Sequence, residues 1–85
     1  MYVVQLKKSV VKKLARMPGK VANKMLAELE LIAADPTGYV GDWKRLRGSS
    51  YWRLRVGQYR AICELRDENL VLLVLSVGPR GDVYK

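Results

Sequence analysis

A run of basic side chains in the second half of the chain is the part of the sequence best suited to chemistry. Six basic residues and no acidic residue occur between positions 43 and 60: Lys44, Arg45, Arg47, Arg53, Arg55 and Arg60. Arg53 and Arg55 are two residues apart, so in a β-strand their side chains project from the same surface. Arg60 follows a short turn and can lie opposite or diagonal to them on the next strand.

This clustering favours a surface that binds phosphate groups. Like charges placed side by side repel each other, so the arrangement costs stability in the free protein. The alternative is a solvated basic face without a ligand, but clustered basic side chains favour a nucleic-acid site. A guanidinium donates paired hydrogen bonds to phosphate oxygens and stays charged at physiological pH. Preorganised guanidinium groups also stabilise the negative charge that develops on a phosphodiester during cleavage.

The sequence has few residues of the types needed for metal binding, disulfides or conventional acid–base catalysis. The chain has no histidine and a single cysteine, Cys63, which disfavours a zinc site and excludes an internal disulfide. We expect no metal and no cofactor, so any reaction must use Arg, Lys, Tyr or a carboxylate. Cys63 lies in an apolar segment and is expected to be a buried small hydrophobic residue. Glu64 is expected to neutralise a neighbouring arginine, with action as a base as the alternative.

The last residues of the chain bring two more candidates. Residues 77–85 leave an apolar segment through glycines and a proline and carry Arg80 and Tyr84. A polar tail with an aromatic anchor and a functional segment explain this pattern equally well.

Length and composition indicate one basic globular domain, residues 1–85. The chain has 85 residues, 49% of them hydrophobic and 28% charged, which is enough for one core and too little for two. A net charge of +8 points to a polyanionic partner, nucleic acid first and an acidic protein second. No apolar run is long enough for a spanning helix and the N-terminus is not a signal peptide, so we expect a cytoplasmic protein.

The first half of the chain predicts a short strand followed by two helices. Residues 2–6 alternate like a strand, and Ser9 is the predicted N-cap of the first helix. Pro18 suits the first turn of a second helix, whose apolar stripe comprises Ala22, Met25, Leu26, Leu29, Ile32 and Ala33. Asp35, which precedes a proline, is expected to end this helix.

The second half predicts a loop over residues 36–49 and then three strands. Residues 50–56 alternate, with Trp52 facing inward, and Gly57-Gln58 forms a turn into residues 59–66. Asn69 is expected to take a left-handed conformation before a central strand over residues 70–77. The two tryptophans are expected to pack rather than to stack on bases. The predicted class is α+β: a short N-terminal strand, two antiparallel helices and a three-stranded antiparallel meander forming one sheet, with the helix pair on one face.

Three segments in this order resemble the RelE family of toxins. They are residues 45–48 (RLRG), residues 51–60 (YWRLRVGQYR), and residues 77–84 (VGPRGDVY) after an apolar strand. The similarity spans essentially the whole chain. It implies a RelE-like fold and a toxin of a type II toxin–antitoxin system, in the RelE/ParE superfamily. The implied activity is metal-independent, ribosome-dependent cleavage of messenger RNA in the ribosomal A site.

The resemblance also implies how the reaction runs and which residues take part. The 2′-hydroxyl attacks the adjacent phosphate and leaves a 2′,3′-cyclic phosphate, a route that requires RNA. Arg53 and Arg55 match the family's basic pair, Arg60 the stabiliser of the transition state, and Arg80 the group that protonates the leaving oxygen. Tyr84 matches the residue that stacks on a base, while Lys44, Arg45 and Arg47 are expected to bind RNA or the ribosome.

Two departures from the family leave the general base open. Many relatives have lysine where Arg55 stands and histidine where Pro79 stands. Arginine hardly gives up its proton, whereas lysine can when other cations crowd it.

Two other functions compete with the nuclease. On the same scaffold, related ParE toxins poison DNA gyrase without being nucleases, and a basic RNA-binding module without toxicity is the third hypothesis. The expected partners are the ribosome, messenger RNA and an acidic, partly disordered antitoxin in a hetero-oligomer, with no membrane. This antitoxin is expected to shield the basic sheet face or to displace the segment that carries Tyr84.

Overall fold

Five strands and two helices make up the part of the chain that this computed structural model describes, residues 1–79. In chain order they are β1 (Val3–Leu6), α1 (Lys8–Arg16), α2 (Gly19–Ala34), β2 (Trp43–Arg45), β3 (Tyr51–Val56), β4 (Tyr59–Arg66) and β5 (Val71–Pro79). None of the helices in this range is long and apolar enough to cross a membrane.

All the described strands form one mixed sheet in the order β1-β5-β4-β3-β2. β1 runs parallel to β5, and the other neighbours are antiparallel. The predicted α+β class and the predicted meander, here β3, β4 and β5, are therefore confirmed. The strand β2 is an addition: it lies inside the segment predicted as a loop and pairs with β3 from Trp43 to Arg45. Three residues are too few to display an alternating pattern, so only pairing with β3 defines this strand.

The two helices cover one face of the sheet. α1 buries Val10 and Leu14, and α2 buries Ala22, Met25, Leu29, Ile32 and Ala33, which confirms most of the predicted stripe. These side chains pack against the residues of the sheet that face them: Leu54, Val56, Ala61, Cys63, Leu72, Val74 and Val77. Burial of this apolar surface is the main stabilising contribution to the fold.

Two predictions are wrong, one about a helix N-cap and one about a turn residue. α1 starts at Lys8, with Lys7 at the N-cap and no side-chain cap, so Ser9 already lies in the first turn. The turn residue with a positive φ is Leu70, at 53°, rather than Asn69. Because Arg66 is paired with Val71, the chain must reverse within residues 67–70. The last residue of this turn, Leu70, adopts the left-handed conformation.

Alternation along β3 separates two chemically different faces. Leu54 and Val56 point into the core, so Arg53 and Arg55 point to the face opposite the helices. The register between β4 and β5 shifts between Ile62 and Cys63, a bulge that leaves Leu75 as an extra residue on β5. Ile62 is buried but lies outside the core cluster, opposite Arg53.

Candidate nucleic-acid interface

The arginine face is the sheet surface opposite the helices that carries Arg53, Arg55 and Arg60. The hairpin of β3 and β4 sets its geometry, because Arg55 lies directly opposite Arg60 in the register. Directly opposed residues have Cβ atoms about 5 Å apart, so these two cationic side chains start from neighbouring points. The register therefore brings the three arginines together on one surface, which is the predicted arrangement.

The turn of this hairpin depends on Gly57. Its φ is +58°, and no non-glycine residue in the turn has a positive φ. A two-residue turn with glycine at a positive φ in its first position and a residue at a negative φ in its second is a type II′ turn. This turn type matches the right-handed twist of the two strands of a hairpin. Gly57 and Gln58 therefore fix Arg60 opposite Arg55.

The arginines are held close to the sheet rather than extended into solvent. The side chain of Arg53 is 14% exposed and that of Arg55 is 29% exposed. Within residues 1–79, the Nε atoms of both are buried without a hydrogen-bond partner. A partly desolvated guanidinium interacts more strongly with an anion than one in open water, because the local dielectric constant is lower.

Asp42 is the residue of this site that the sequence prediction missed. Its Oδ1 lies 2.6 Å from Nη2 of Arg53, and its Oδ2 lies 3.6 Å from Nε of Arg55. Its backbone oxygen also accepts the N–H of Arg55 at 3.0 Å, which continues the pairing of β2 with β3 by one residue. Asp42 therefore lies on the arginine face, opposite Arg55. The sequence signal that could have identified Asp42 is its position two residues before Lys44. In a strand this spacing places Asp42 and Lys44 on the same face, but it is informative only once β2 is recognised as a strand.

Glu64 neutralises a neighbouring arginine, as expected, but that arginine is not one of the basic run. It contacts Arg66, Oε1 to Nε at 2.8 Å, and Arg66 lies outside the basic run. Glu64 does neutralise a neighbouring arginine, but the acid that pairs with the basic run is Asp42.

The other predicted RNA-binding residues divide between the two faces. Lys44 is paired with Arg53 in the register and belongs to the arginine face. Arg45 is paired with Trp52, so it points to the opposite face, and its Nε donates a hydrogen bond to the backbone oxygen of Ser49 at 3.2 Å. Arg47 is exposed in the turn that follows β2. The structure thus brings Lys44 to the three arginines and leaves Arg45 and Arg47 apart from them.

Arg80 and Tyr84 lie outside the described residues, so their predicted roles stay predictions. The described chain ends where β5 passes the arginine face: Gly78 is paired with Arg60 and Pro79 with Tyr59. Gly78 is buried although it has no side chain, so neighbouring groups cover the backbone of β5 beside Arg60.

Three residues predicted to be structural are structural. Burial raises the pKa of the Cys63 thiol to about 12, so the reactive thiolate is absent at neutral pH. Trp43 and Trp52 stack on each other with ring centroids 5.0 Å apart and planes 11° from parallel. Their pairing belongs to the face that the helices cover, where Trp43 packs against the core.

The sequence matches the model of one protein family over nearly its whole length. That family is described as the ParE toxin of the type II toxin–antitoxin system parDE, and residues 4–84 are matched. Among curated proteins, none is significantly similar to this chain.

Solved structures of toxins share the fold. A chain of the RelE–RelB complex from Pyrococcus horikoshii is 28% identical with a TM-score of 0.81, and the match covers 96% of this chain and 98% of that one. A chain of the RelB–RelE antitoxin–toxin complex from Methanococcus jannaschii is 25% identical with a TM-score of 0.72, covering 93% of each chain. The isolated RelE toxin of E. coli is 24% identical with a TM-score of 0.79, covering 99% of this chain and 92% of that one.

The family match extends through the hairpin that carries the arginine face, and the fold is that of the RelE toxins. The chain therefore belongs to the ParE toxin family of type II toxin–antitoxin systems, within the RelE/ParE superfamily.

Proposed function

We propose that this toxin is an endoribonuclease that cleaves messenger RNA in the ribosomal A site. The observation that supports the proposal is the position of Arg53, Arg55 and Arg60, side by side on the sheet face that the helices leave uncovered. A face with three guanidinium groups suits a phosphodiester because it can bind the phosphate and stabilise the additional charge of the transition state.

In the proposed reaction the 2′-hydroxyl of the messenger attacks the adjacent phosphorus atom. Arg53 and Arg55 hold the phosphate, and Arg60 stabilises the charge on its oxygens. By the family resemblance, Arg80 supplies the proton to the departing 5′-oxygen and Tyr84 stacks on a base. Lys44 extends the contact along the RNA backbone, while Arg45 and Arg47, which lie apart from the arginine face, contact the ribosome. The reaction needs no metal, because the guanidinium groups supply the positive charge.

Poisoning of DNA gyrase is the second candidate, and a specific observation favours it. The matching family model is that of ParE toxins, whereas the solved relatives above are RelE toxins. The two functions make different demands on the arginine face. A gyrase-binding protein needs only a complementary surface, whereas a nuclease needs several cations that act on one phosphate group.

An antitoxin is the proposed partner in the resting cell. Three relatives were crystallised as toxin–antitoxin complexes, from E. coli, P. horikoshii and Methanococcus jannaschii. The net charge of +8 and the basic sheet face favour an acidic, partly disordered partner that folds on binding. We propose that it covers the arginine face or displaces the segment that carries Tyr84.

Mapping of messenger 5′ ends after induction of the toxin tests the proposed function. Cuts within translated codons, absent from the same messenger without ribosomes, are expected for the nuclease. A 2′-deoxynucleotide at the cleavage position should block the cut, since the nucleophile is then missing. Intact messenger together with broken DNA would instead support gyrase poisoning.

A further inference from the structure

We propose that Asp42 is the general base that removes the proton from the attacking 2′-hydroxyl. This inference rests on the proposed endoribonuclease function and adds to it the one role that the sequence left unassigned. The geometry that carries it is the placement of a carboxylate between the two arginines proposed to hold the phosphate.

Three contacts fix the position of Asp42. Each carboxylate oxygen is directed at a different guanidinium, Oδ1 at Arg53 and Oδ2 at Arg55, at 2.6 Å and 3.6 Å. The backbone oxygen of Asp42 accepts the N–H of Arg55 at 3.0 Å, which anchors the residue to β3. A phosphate that binds these two guanidinium groups must therefore lie next to this carboxylate. The 2′-oxygen is joined to that phosphate through two ribose carbons and the 3′-oxygen, so it lies within the same neighbourhood.

The carboxylate is accessible to a substrate. The side chain of Asp42 is 43% exposed, compared with 14% for Arg53 and 29% for Arg55. Its contact with Arg55 is longer than a hydrogen bond, so Oδ2 retains lone pairs that can accept a proton. Asp42 thus combines a fixed position with an oxygen that is open toward the arginine face.

The composition of the site leaves few other bases. The chain has no histidine, and arginine stays protonated at physiological pH. The Cys63 thiol is buried in the core on the other side of the sheet. Glu64 lies on the arginine face but is engaged with Arg66. A carboxylate is an established type of general base where it reaches the proton that it removes.

The Asp42 carboxylate takes the proton of the 2′-hydroxyl while the 2′-oxygen forms its bond to phosphorus. The bond between phosphorus and the 5′-oxygen breaks with its electron pair on that oxygen, which takes a proton from solvent water. Asp42 then releases its proton to solvent. The products are the 2′,3′-cyclic phosphate and a free 5′-hydroxyl.

The variant Asp42→Asn separates this role from simple positioning of the arginines. Asparagine has the same shape and its side-chain oxygen still accepts a hydrogen bond from Arg53, but it cannot take up a proton at neutral pH. We expect single-turnover cleavage of ribosome-bound messenger to fall by about 100-fold or more. Binding to a programmed ribosome whose messenger carries a 2′-deoxynucleotide at the cleavage position should stay within a few-fold of wild type. Glu64→Gln is the matched control, since it neutralises an acid on the same face, and it should cleave at the wild-type rate.

Asp42→Glu gives a second readout that a structural role would not move. It keeps a carboxylate on a longer side chain that fits the contacts with Arg53 and Arg55 less well, so at equal ribosome binding it should cleave faster than Asp42→Asn, although more slowly than wild type. Wild-type cleavage by Asp42→Asn would overturn the proposal. So would faster cleavage with tighter binding, which would make the carboxylate an internal inhibitor, or a parallel loss of binding and cleavage, which would make it a positioning group. If the wild-type protein itself does not cleave, the proposed function fails instead.

Discussion

At the scale of single residues, the arginine face is less repulsive than its sequence suggests. Arg55 on β3 lies directly opposite Arg60 on β4, and Arg53 lies two residues from Arg55 on the same face of β3. Asp42 offsets part of this repulsion because it contacts Arg53 and Arg55 together. In the proposed function, a phosphate that enters the face shares Arg53 and Arg55 with this carboxylate, which already orients the guanidinium groups toward an anion.

Removal of single guanidinium groups tests the proposed roles. Arg60→Ala and Arg80→Ala are each expected to lower the cleavage rate in a ribosome-based assay by about 100-fold or more, the usual cost of losing one group that stabilises developing negative charge. Arg66→Ala is the control, since Arg66 lies on the same strand as Arg60 and is engaged with Glu64. Wild-type rates for either of the first two variants would contradict that residue's role.

Burial of the Cys63 thiol predicts how stability changes at high pH. The folded-state pKa is raised from 9.0 to about 12 by burial, so the unfolded chain loses this proton first as pH rises. The contribution of the buried neutral thiol to the free energy of unfolding is fully present below pH 9. It is lost between pH 9 and pH 12, by about 1.4 kcal/mol per pH unit at most. Thermal melts between pH 9 and pH 10.5 should show a steeper decline for wild type than for Cys63→Ala. Equal slopes would show that the thiol is not desolvated.

At the scale of secondary-structure elements, the sequence predicted what local patterns encode. β4 was predicted at its observed bounds, and β3 was predicted one residue longer, because alternation and a glycine turn are local signals. Arg53, Arg55 and Arg60 could be placed on one face for the same reason. The strand β2 could not be predicted, because three residues carry no alternation and its pairing partner lies further along the chain. Asp42 was missed with it, since its contacts exist only when β2 pairs with β3.

The turn between β3 and β4 can be tested separately from the site. Gly57→Ala places a side chain at a φ of +58°, which is unfavourable for L-residues, and should lower the free energy of unfolding by about 1 kcal/mol or more. A Cβ at Gly57 meets nothing within 4 Å, so the cost comes from the backbone alone. Gly19→Ala is the matched control: Gly19 begins α2, has open space around it, and should be neutral or slightly stabilising in the same urea titration. Equal stability for both variants would contradict the assigned turn.

At the scale of the whole molecule, the two sides of the sheet have different tasks. One side is covered by α1 and α2 and contains the core, while the other carries the arginine face. With a net charge of +8, the whole protein attracts polyanions, and the arginine face gives this attraction a specific site. In the proposed function the same charge also attracts an acidic antitoxin, and inhibitor and substrate would then compete for one surface.

A photo-crosslinker at single positions tests where the antitoxin binds. We expect a crosslinker at Lys44, on the edge of the arginine face, to capture the antitoxin in the reconstituted complex. A second one at Lys85 probes the C-terminal segment, and one at Lys20, exposed in α2, is the control. Capture only at Lys20 would exclude the proposed mode of inhibition. The complex should also weaken as salt rises, because its attraction is largely electrostatic.

The order of the strands has a consequence for how the toxin is made. β5 is the last described element in the chain, yet it lies between β1 and β4 in the sheet, and β1 has no other strand partner within residues 1–79. A nascent chain therefore leaves the ribosome with its first strand unpaired and cannot close its core until residue 79 has emerged. Until β5 is in place, the β3–β4 hairpin that carries the arginine face has no complete core behind it, and a partner already present in the cell has that whole interval in which to meet the chain.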